Sequence, residues 1–191
     1  QRLKGQSPAN GLLLRGFDAY PHVPQMQDVT RLNPGAVAVY PDYKGLARIV
    51  GMTVYDSAGE TVADEIKTLK DKWADHDFFF FHYKKTDSSG EDGDFDRKVS
   101  MIEMFDAALP EIMALNPGVI AVTGDHSTPA LLKAHSWHPV PLVLSSGCCR
   151  RDAVSEFTEL ACIGGGLGRI PSVSLMPLML ANAHKMQKFG A

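Results

Sequence analysis

Four short apolar runs limit what this chain can fold into: AVAVY (Ala36 to Tyr40), DFFFFHY (Asp77 to Tyr83), GVIAVT (Gly118 to Thr123) and VPLVLSS (Val140 to Ser146). Most are apolar on successive residues rather than on alternate ones, the pattern of strands covered on both faces. Stretches of helical spacing separate them. The clearest runs from Thr61 to Ala74, with Val62, Ile66, Leu69 and Trp73 on one face and Thr61 placed as N-cap. A second, from about Phe95 to Leu115, aligns Phe95, Val99, Ile102, Phe105, Leu109 and Ile112, with Pro110 expected to kink or split it. A third, near Ser172 to Lys188, carries Met176, Met179 and Met186, which read as core packing. Strands alternating with helices predict an α/β fold, a three-layer sandwich around a mostly parallel sheet.

Size and charge narrow the class of function. The chain has 191 residues, 45% of them hydrophobic, enough to bury one substantial core. Charged residues make up 21% and nearly balance at a net charge of −3, so neither a nucleic-acid groove nor an anionic membrane surface is indicated. The expected partner is a small molecule. Three cysteines, Cys148, Cys149 and Cys162, form neither a disulfide framework nor a CxxC metal pattern and fit a reducing cytoplasm. No apolar run approaches the roughly 20 residues that span a bilayer.

In open α/β sheets, ligands gather beyond the carboxyl ends of the strands. There this sequence turns acidic and imidazole-rich. After the phenylalanine run comes HYKKTDSSGEDGD, a glycine-punctuated stretch read as a loop, with His82, Lys84, Lys85, Asp87, Glu91, Asp92 and Asp94. After GVIAVT comes TGDHSTP, with Asp125 and His126 at the strand end, and AHSWHPVP adds His135 and His138. Asp and His without thiolate make an oxygen and nitrogen site of the kind zinc, manganese or magnesium use. Three converging segments make a two-ion site plausible, and two ions suit phosphoryl transfer or hydrolysis. Taken singly, the same residues have plainer readings: the Asp125–His126 pair as a turn and helix cap, Lys84 and Lys85 as solvated charges, Asp92 and Asp94 as loop or N-cap residues. Gly164, Gly165, Gly166 and Gly168 do not match GxGxxG and read as a tight turn.

Taken together and in order, SPAN, LLLRG, KGLARIVGM, FFFFHYKKTDSSGEDGDFDRKVSMIEMFD, TGDHSTP, HSWHPVP, GLGRI and KFGA resemble the archaeal-type, cofactor-independent phosphoglycerate mutases of the alkaline phosphatase superfamily. The resemblance implies an isomerase that passes phosphate from 3-phosphoglycerate to a serine and back to the 2-hydroxyl, assisted by two divalent ions, manganese foremost, with zinc or magnesium as alternatives. It implies Asp87 and His135 as ligands of one ion, Asp125 and His126 of the other, and Glu91 where the wider superfamily usually presents a histidine. Lys44, Arg48 and Arg15 are then candidates to bind the substrate phosphate or carboxylate. Family members are about twice as long, so residues 1–191 are expected to be the C-terminal, metal-binding half, with no catalytic serine of their own. Two other readings stand beside this one: another hydrolase of the superfamily, such as a phosphatase, phosphonate hydrolase or sulfatase, and a non-catalytic half-domain. For His82 the expectation is a hydrogen-bonded anchor at a strand end, and for Glu91 a carboxylate turned toward Asp87 and His135.

Overall fold

The structure is a computed structural model that describes Leu14 and residues 17–186. Arg15 lies outside the described residues, as do SPAN and the KFGA ending. In chain order the elements are α1 (Met26–Thr30), β1 (Pro34–Ala38), α2 (Pro41–Ile49), β2 (Thr53–Tyr55), α3 (Val62–Lys72), β3 (Phe78–His82), α4 (Lys85–Asp92), α5 (Phe95–Met113), β4 (Val119–Thr123), β5 (Leu142–Ser146), α6 (Glu159–Cys162) and α7 (Leu175–Asn182), with short 3-10 turns after α3 and before α7.

The three parallel strands run in the order β2-β1-β3, and β1 is buried along its whole length. The phenylalanine run on β3 alternates faces as a strand must. Phe79 and Phe81 pack with Val37, Val62, Ile66, Leu69, Phe105 and Ile112, the core shared with α3 and α5. Phe80 and His82 face the other way, where Tyr43 of α2 stacks on both rings, its centroid 3.7 Å from that of His82. Helix, sheet and helix thus form three layers, and the apolar run is continuous because both of its faces are covered. β4 and β5 pair antiparallel in a separate two-stranded unit.

α3 begins as expected. The Thr61 side chain accepts from Asp64 N–H while the Asp64 carboxylate accepts from Thr61 N–H, a reciprocal capping box. α5 is one helix through Pro110, so the expected split does not occur. Its apolar stripe is buried only toward the C-terminal end: Phe105, Leu109 and Ile112 join the core, whereas Phe95 and Ile102 stand exposed. β1 lies two residues earlier than the sequence places it, because Tyr40 is spent as the N-cap position of α2, whose first residue is Pro41. β2 and α2 were not apparent in the apolar pattern. α7 ends at Asn182, and Met186 is exposed rather than packed, while Met176 and Met179 are half-buried.

The largest departure is KTDSSGED, which is helix and not loop. Its serines and Gly90 are weak helix formers, so local propensity points the wrong way. Packing overrides it: Ser89 and Gly90 are buried, and Ser89 Oγ donates to the Lys85 carbonyl at 2.8 Å. Gly93, at φ 75°, ends the helix in the left-handed conformation that glycine adopts without strain, and Asp94 then caps α5 by accepting from Arg97 N–H at 2.9 Å.

Candidate metal centre

The end of β3 delivers α4 directly, and on a helix residues four apart share a face. Asp87 and Glu91 are therefore stacked one turn apart. On the opposite side, β4 ends at Thr123 and the chain enters Gly124–Asp125–His126. The stretch between β4 and β5 doubles back on itself through a turn in which the Leu132 and Lys133 amides donate to the Pro129 carbonyl. An antiparallel bridge, Ser127 to Ser136, closes it, with Ser136 N–H donating to the Ser127 carbonyl at 2.9 Å. That bridge sets His126 beside His135, their rings stacked with centroids 3.7 Å apart.

The two halves meet at Asp87. Its Oδ1 lies 3.8 Å from His126 Nδ1 and 3.8 Å from His135 Nε2. Glu91 Oε1 is 3.7 Å from His135 Nε2, and Asp125 Oδ2 is 3.3 Å from His126 Nε2. One ligand atom from each of Asp87, His126 and His135 falls within 4.8 Å of the other two. The five residues that the resemblance implies as metal ligands, Asp87, Glu91, Asp125, His126 and His135, are drawn into one chain of contacts at the carboxyl end of β3. His138 is turned to a structural task, its Nδ1 2.8 Å from Ser136 Oγ.

Three further residues complete the surroundings, of which the sequence reading named only Lys84. Lys84, whose side chain is only 16% exposed, binds Asp87 Oδ2 and lies 3.9 Å from Glu91, with its ammonium over the Tyr40 ring. It is not the solvated charge its sequence context indicates. Thr128 donates to Asp87 Oδ1 and lies 3.0 Å from His126 Nδ1. A hydroxyl has one hydrogen, so with Asp87 as acceptor the second contact must be His126 Nδ1–H donating to Thr128. Nδ1 thus carries a hydrogen, and Nε2 is the ring nitrogen turned toward Asp125. Lys98 of α5 donates to the carbonyls of Thr86 (3.2 Å) and Thr128 (2.9 Å), tying α4 to the hairpin. Burial lowers its pKa, against the opposing pull of Asp87. Spacing could have found Lys84, three residues before Asp87 on one helix face. Nothing in the sequence singles out Lys98.

Burial by itself would raise the Asp87 pKa, but the hydrogen bonds from Lys84 and Thr128 and the positive charge of Lys84 outweigh it, so the carboxyl is held below its ordinary value. Asp87 is thus an anion with two donors on it. His82, by contrast, is half-buried beneath Tyr43, its Nδ1 has no partner among the described residues, and burial pushes its pKa down to about 4. It is a neutral packing residue, where the sequence led us to expect a hydrogen-bonded anchor. Lys44 is committed to Asp56 at 2.6 Å, and Arg48, in the last turn of α2, adds its charge to the same carboxylate. The basic groups that line the cleft beside α4, together with Tyr40, Glu60 and Ser88, are Lys84 and Lys85.

A profile of the family described as "Metalloenzyme superfamily" matches residues 4–182. The chain belongs to the metalloenzyme superfamily. Among curated relatives of this metalloenzyme chain, a probable 2,3-bisphosphoglycerate-independent phosphoglycerate mutase of Thermotoga maritima is 54% identical over 189 residues, 99% of this chain and 47% of the relative. One of the same name from Thermus thermophilus is 53% identical over 191 residues, again 47% of the relative. This metalloenzyme chain therefore spans about half the length of the curated relatives it matches. Among solved structures, the PH0037 protein from Pyrococcus horikoshii is similar with a TM-score of 0.85 and 33% identity, covering 90% of this chain and 55% of that one. A cofactor-independent phosphoglycerate mutase from Thermoplasma acidophilum is similar with a TM-score of 0.66 and 27% identity, over 85% of this chain and 40% of its own. The resemblance read from the motifs is thus met by the names of the curated relatives and of the Thermoplasma structure.

Proposed function

We propose that this chain is the metal-holding portion of a cytoplasmic 2,3-bisphosphoglycerate-independent phosphoglycerate mutase, acting on a small phosphorylated substrate with two divalent ions. The observation that carries the reading is the meeting of Asp87 with His126 and His135 at the strand ends, in a chain 54% identical to relatives of that name.

The donor set fits divalent cations. Two atoms that ligate one ion at about 2.1 Å lie at most about 4.2 Å apart, and the contacts Asp125–His126 Nε2, Asp87–His135 and Glu91–His135 run from 3.3 to 3.8 Å. The tautomer of His126 divides the set. With Nδ1–H given to Thr128, Nε2 is the nitrogen left to ligate an ion, and it lies 3.3 Å from the Asp125 carboxylate. Asp125 and His126 would hold one ion, and Asp87, His135 and Glu91 the other. Oxygen and imidazole donors without thiolate favour manganese over softer ions at such a site, with zinc or magnesium as substitutes.

Bound divalent ions would supply charge neutralisation at a transferring phosphoryl group. The chain's own residues prepare for that. Thr128 fixes the His126 tautomer and holds Asp87, Lys98 pins the hairpin to α4, and Lys84 places a positive charge at the mouth of the cleft. The serine that accepts phosphate would come from the part of the protein that this chain does not span, and Lys44, Arg48 and Arg15 remain candidate contacts for the rest of the substrate.

The test is direct. Titration of the chain with manganese, followed by the loss of the free-ion paramagnetic signal, should show binding that weakens at least tenfold in Asp87→Asn and in His126→Ala; a wild-type chain that leaves the signal unchanged overturns the reading. Phosphorus NMR of 3-phosphoglycerate with the manganese-loaded chain should show no 2-phosphoglycerate, because the accepting serine is not among these residues. Release of inorganic phosphate instead would point to a hydrolase.

A further inference from the structure

A second reactive constellation lies at the turn after β5, built from residues outside the metal cluster. β5 ends at Ser146, whose hydroxyl oxygen accepts the backbone N–H groups of both Cys148 and Cys149 at 3.1 Å. The same hydroxyl lies 2.9 Å from Asn182 Oδ1 at the end of α7. Asn182 Nδ2 donates to the Leu178 carbonyl at 2.9 Å, which orients the amide so that its oxygen faces the turn. The two adjacent thiols are thereby held in different surroundings. Cys149 Sγ donates to Asn182 Oδ1 at 3.2 Å. Cys148 Sγ stands 3.0 Å from His184 Nε2 and is exposed.

His184 is held in place. It sits just past α7 at φ 55°, a left-handed conformation costly for a non-glycine residue, with its N–H on the Ala181 carbonyl at 3.1 Å. The next residue, Lys185, anchors the segment through Asp77, 3.2 Å away. An imidazole at hydrogen-bond distance can accept a thiol proton, and as imidazolium it stabilises the thiolate, the nucleophilic form of cysteine. Arg150 and Arg151 follow directly in the chain and add positive charge to the turn.

We propose that Cys148, with His184 as its proton acceptor, is a reactive thiol and a modification site for soft electrophiles. With an alkyl iodide the S–H bond breaks and its proton passes to His184 Nε2; the sulfur forms a bond to carbon, and iodide departs with the electron pair of the C–I bond. Cys149 and Cys162, which lack an imidazole partner among the described residues, are the internal references.

Limited alkylation of the 191-residue chain with iodoacetamide at neutral pH, resolved by peptide mass spectrometry, tests this. With an imidazole positioned to take the proton as the sulfur attacks, Cys148 should react roughly tenfold faster than Cys149 and Cys162. His184→Gln should bring Cys148 down to the reference rate. Cys148→Ser, which retains a hydrogen-bonding side chain in the turn, should abolish the fast phase of alkylation and leave the Cys149 and Cys162 rates unchanged. Equal rates at the three cysteines, an unchanged Cys148 rate in His184→Gln, or a fast phase that survives in Cys148→Ser would each overturn the proposal.

Discussion

Asp87 and Glu91 stand one helical turn apart on α4, and His135 Nε2 lies 3.8 Å from the first and 3.7 Å from the second. The helix makes that pairing rigid, since a carboxylate four residues on cannot leave the face of its predecessor without unwinding the turn. Glu91→Ala should therefore weaken manganese binding by roughly tenfold or more, as loss of a ligand or its supporting acceptor does, without unfolding the chain. Manganese titration of the variant, with circular dichroism as the control for folding, checks this; an unchanged titration would leave Glu91 as a solvated side chain.

Gly90 lies between them with its Cα against the hairpin. A Cβ there would drive into the Thr128 carbonyl oxygen and come within 3.0 Å of Lys98 Nζ. Alanine improves helix propensity by about 1 kcal/mol, but displacing a backbone carbonyl that also binds Lys98 costs about 1–3 kcal/mol. We expect Gly90→Ala to be net destabilising and to weaken manganese binding, because α4 and the hairpin carry ligands from opposite sides. Urea unfolding paired with manganese titration would detect both losses, and a variant as stable as the wild type would mean that the contact yields at no cost.

Glu65 is buried in the face of α3 that packs on the core, with neither carboxylate oxygen hydrogen-bonded among the described residues. Burial raises its pKa to about 7, against the attraction of Lys85. The folded chain therefore holds the proton more tightly than the unfolded chain. Relative stability is greatest below the ordinary carboxyl range and is lost as pH rises through about 7. Glu65→Gln should remove that loss and gain on the order of 1–3 kcal/mol over the wild type at pH 8 relative to pH 4, after allowance for screening. Chemical denaturation at both pH values measures the difference, and parallel curves for the two proteins would contradict it.

His82 works in the opposite direction over much of the same range. Burial pushes its pKa down to about 4, so its neutral form is the folded one. Its contribution is complete above the ordinary histidine pKa of about 6.5 and is lost as pH falls through 4. Because His82 is only half-buried, roughly 1–2 kcal/mol is the expected size. In the wild type the two groups partly cancel between about pH 4.5 and 6.5, so Glu65→Gln should expose a steeper loss of stability toward acid, and His82→Leu should expose the opposite slope, a loss as pH rises. Denaturant midpoints measured across that window would distinguish the four combinations.

The alternation of apolar runs with amphipathic stretches was enough to establish the α/β class, the buried parallel strands β1 and β3 and the capping of α3, because burial on both faces and helical periodicity are written in the order of residue types, whereas β2 and the antiparallel pairing of β4 with β5 were not legible there. The motifs also named the acidic and imidazole residues, since ligand chemistry depends on residue type. The sequence could not show that KTDSSGED is a helix, because Ser88, Ser89 and Gly90 disfavour one locally, and only contact with Thr128 and Lys98 holds it. Nor could it show which nitrogen of His126 is protonated, how Lys84 comes to lie on Asp87, or that Cys148 meets His184. Those relations join residues 3 to 41 positions apart through hydrogen bonds and ion pairs a few ångströms long, and such distances exist only once the hairpin, the helices and the sheet have been brought together.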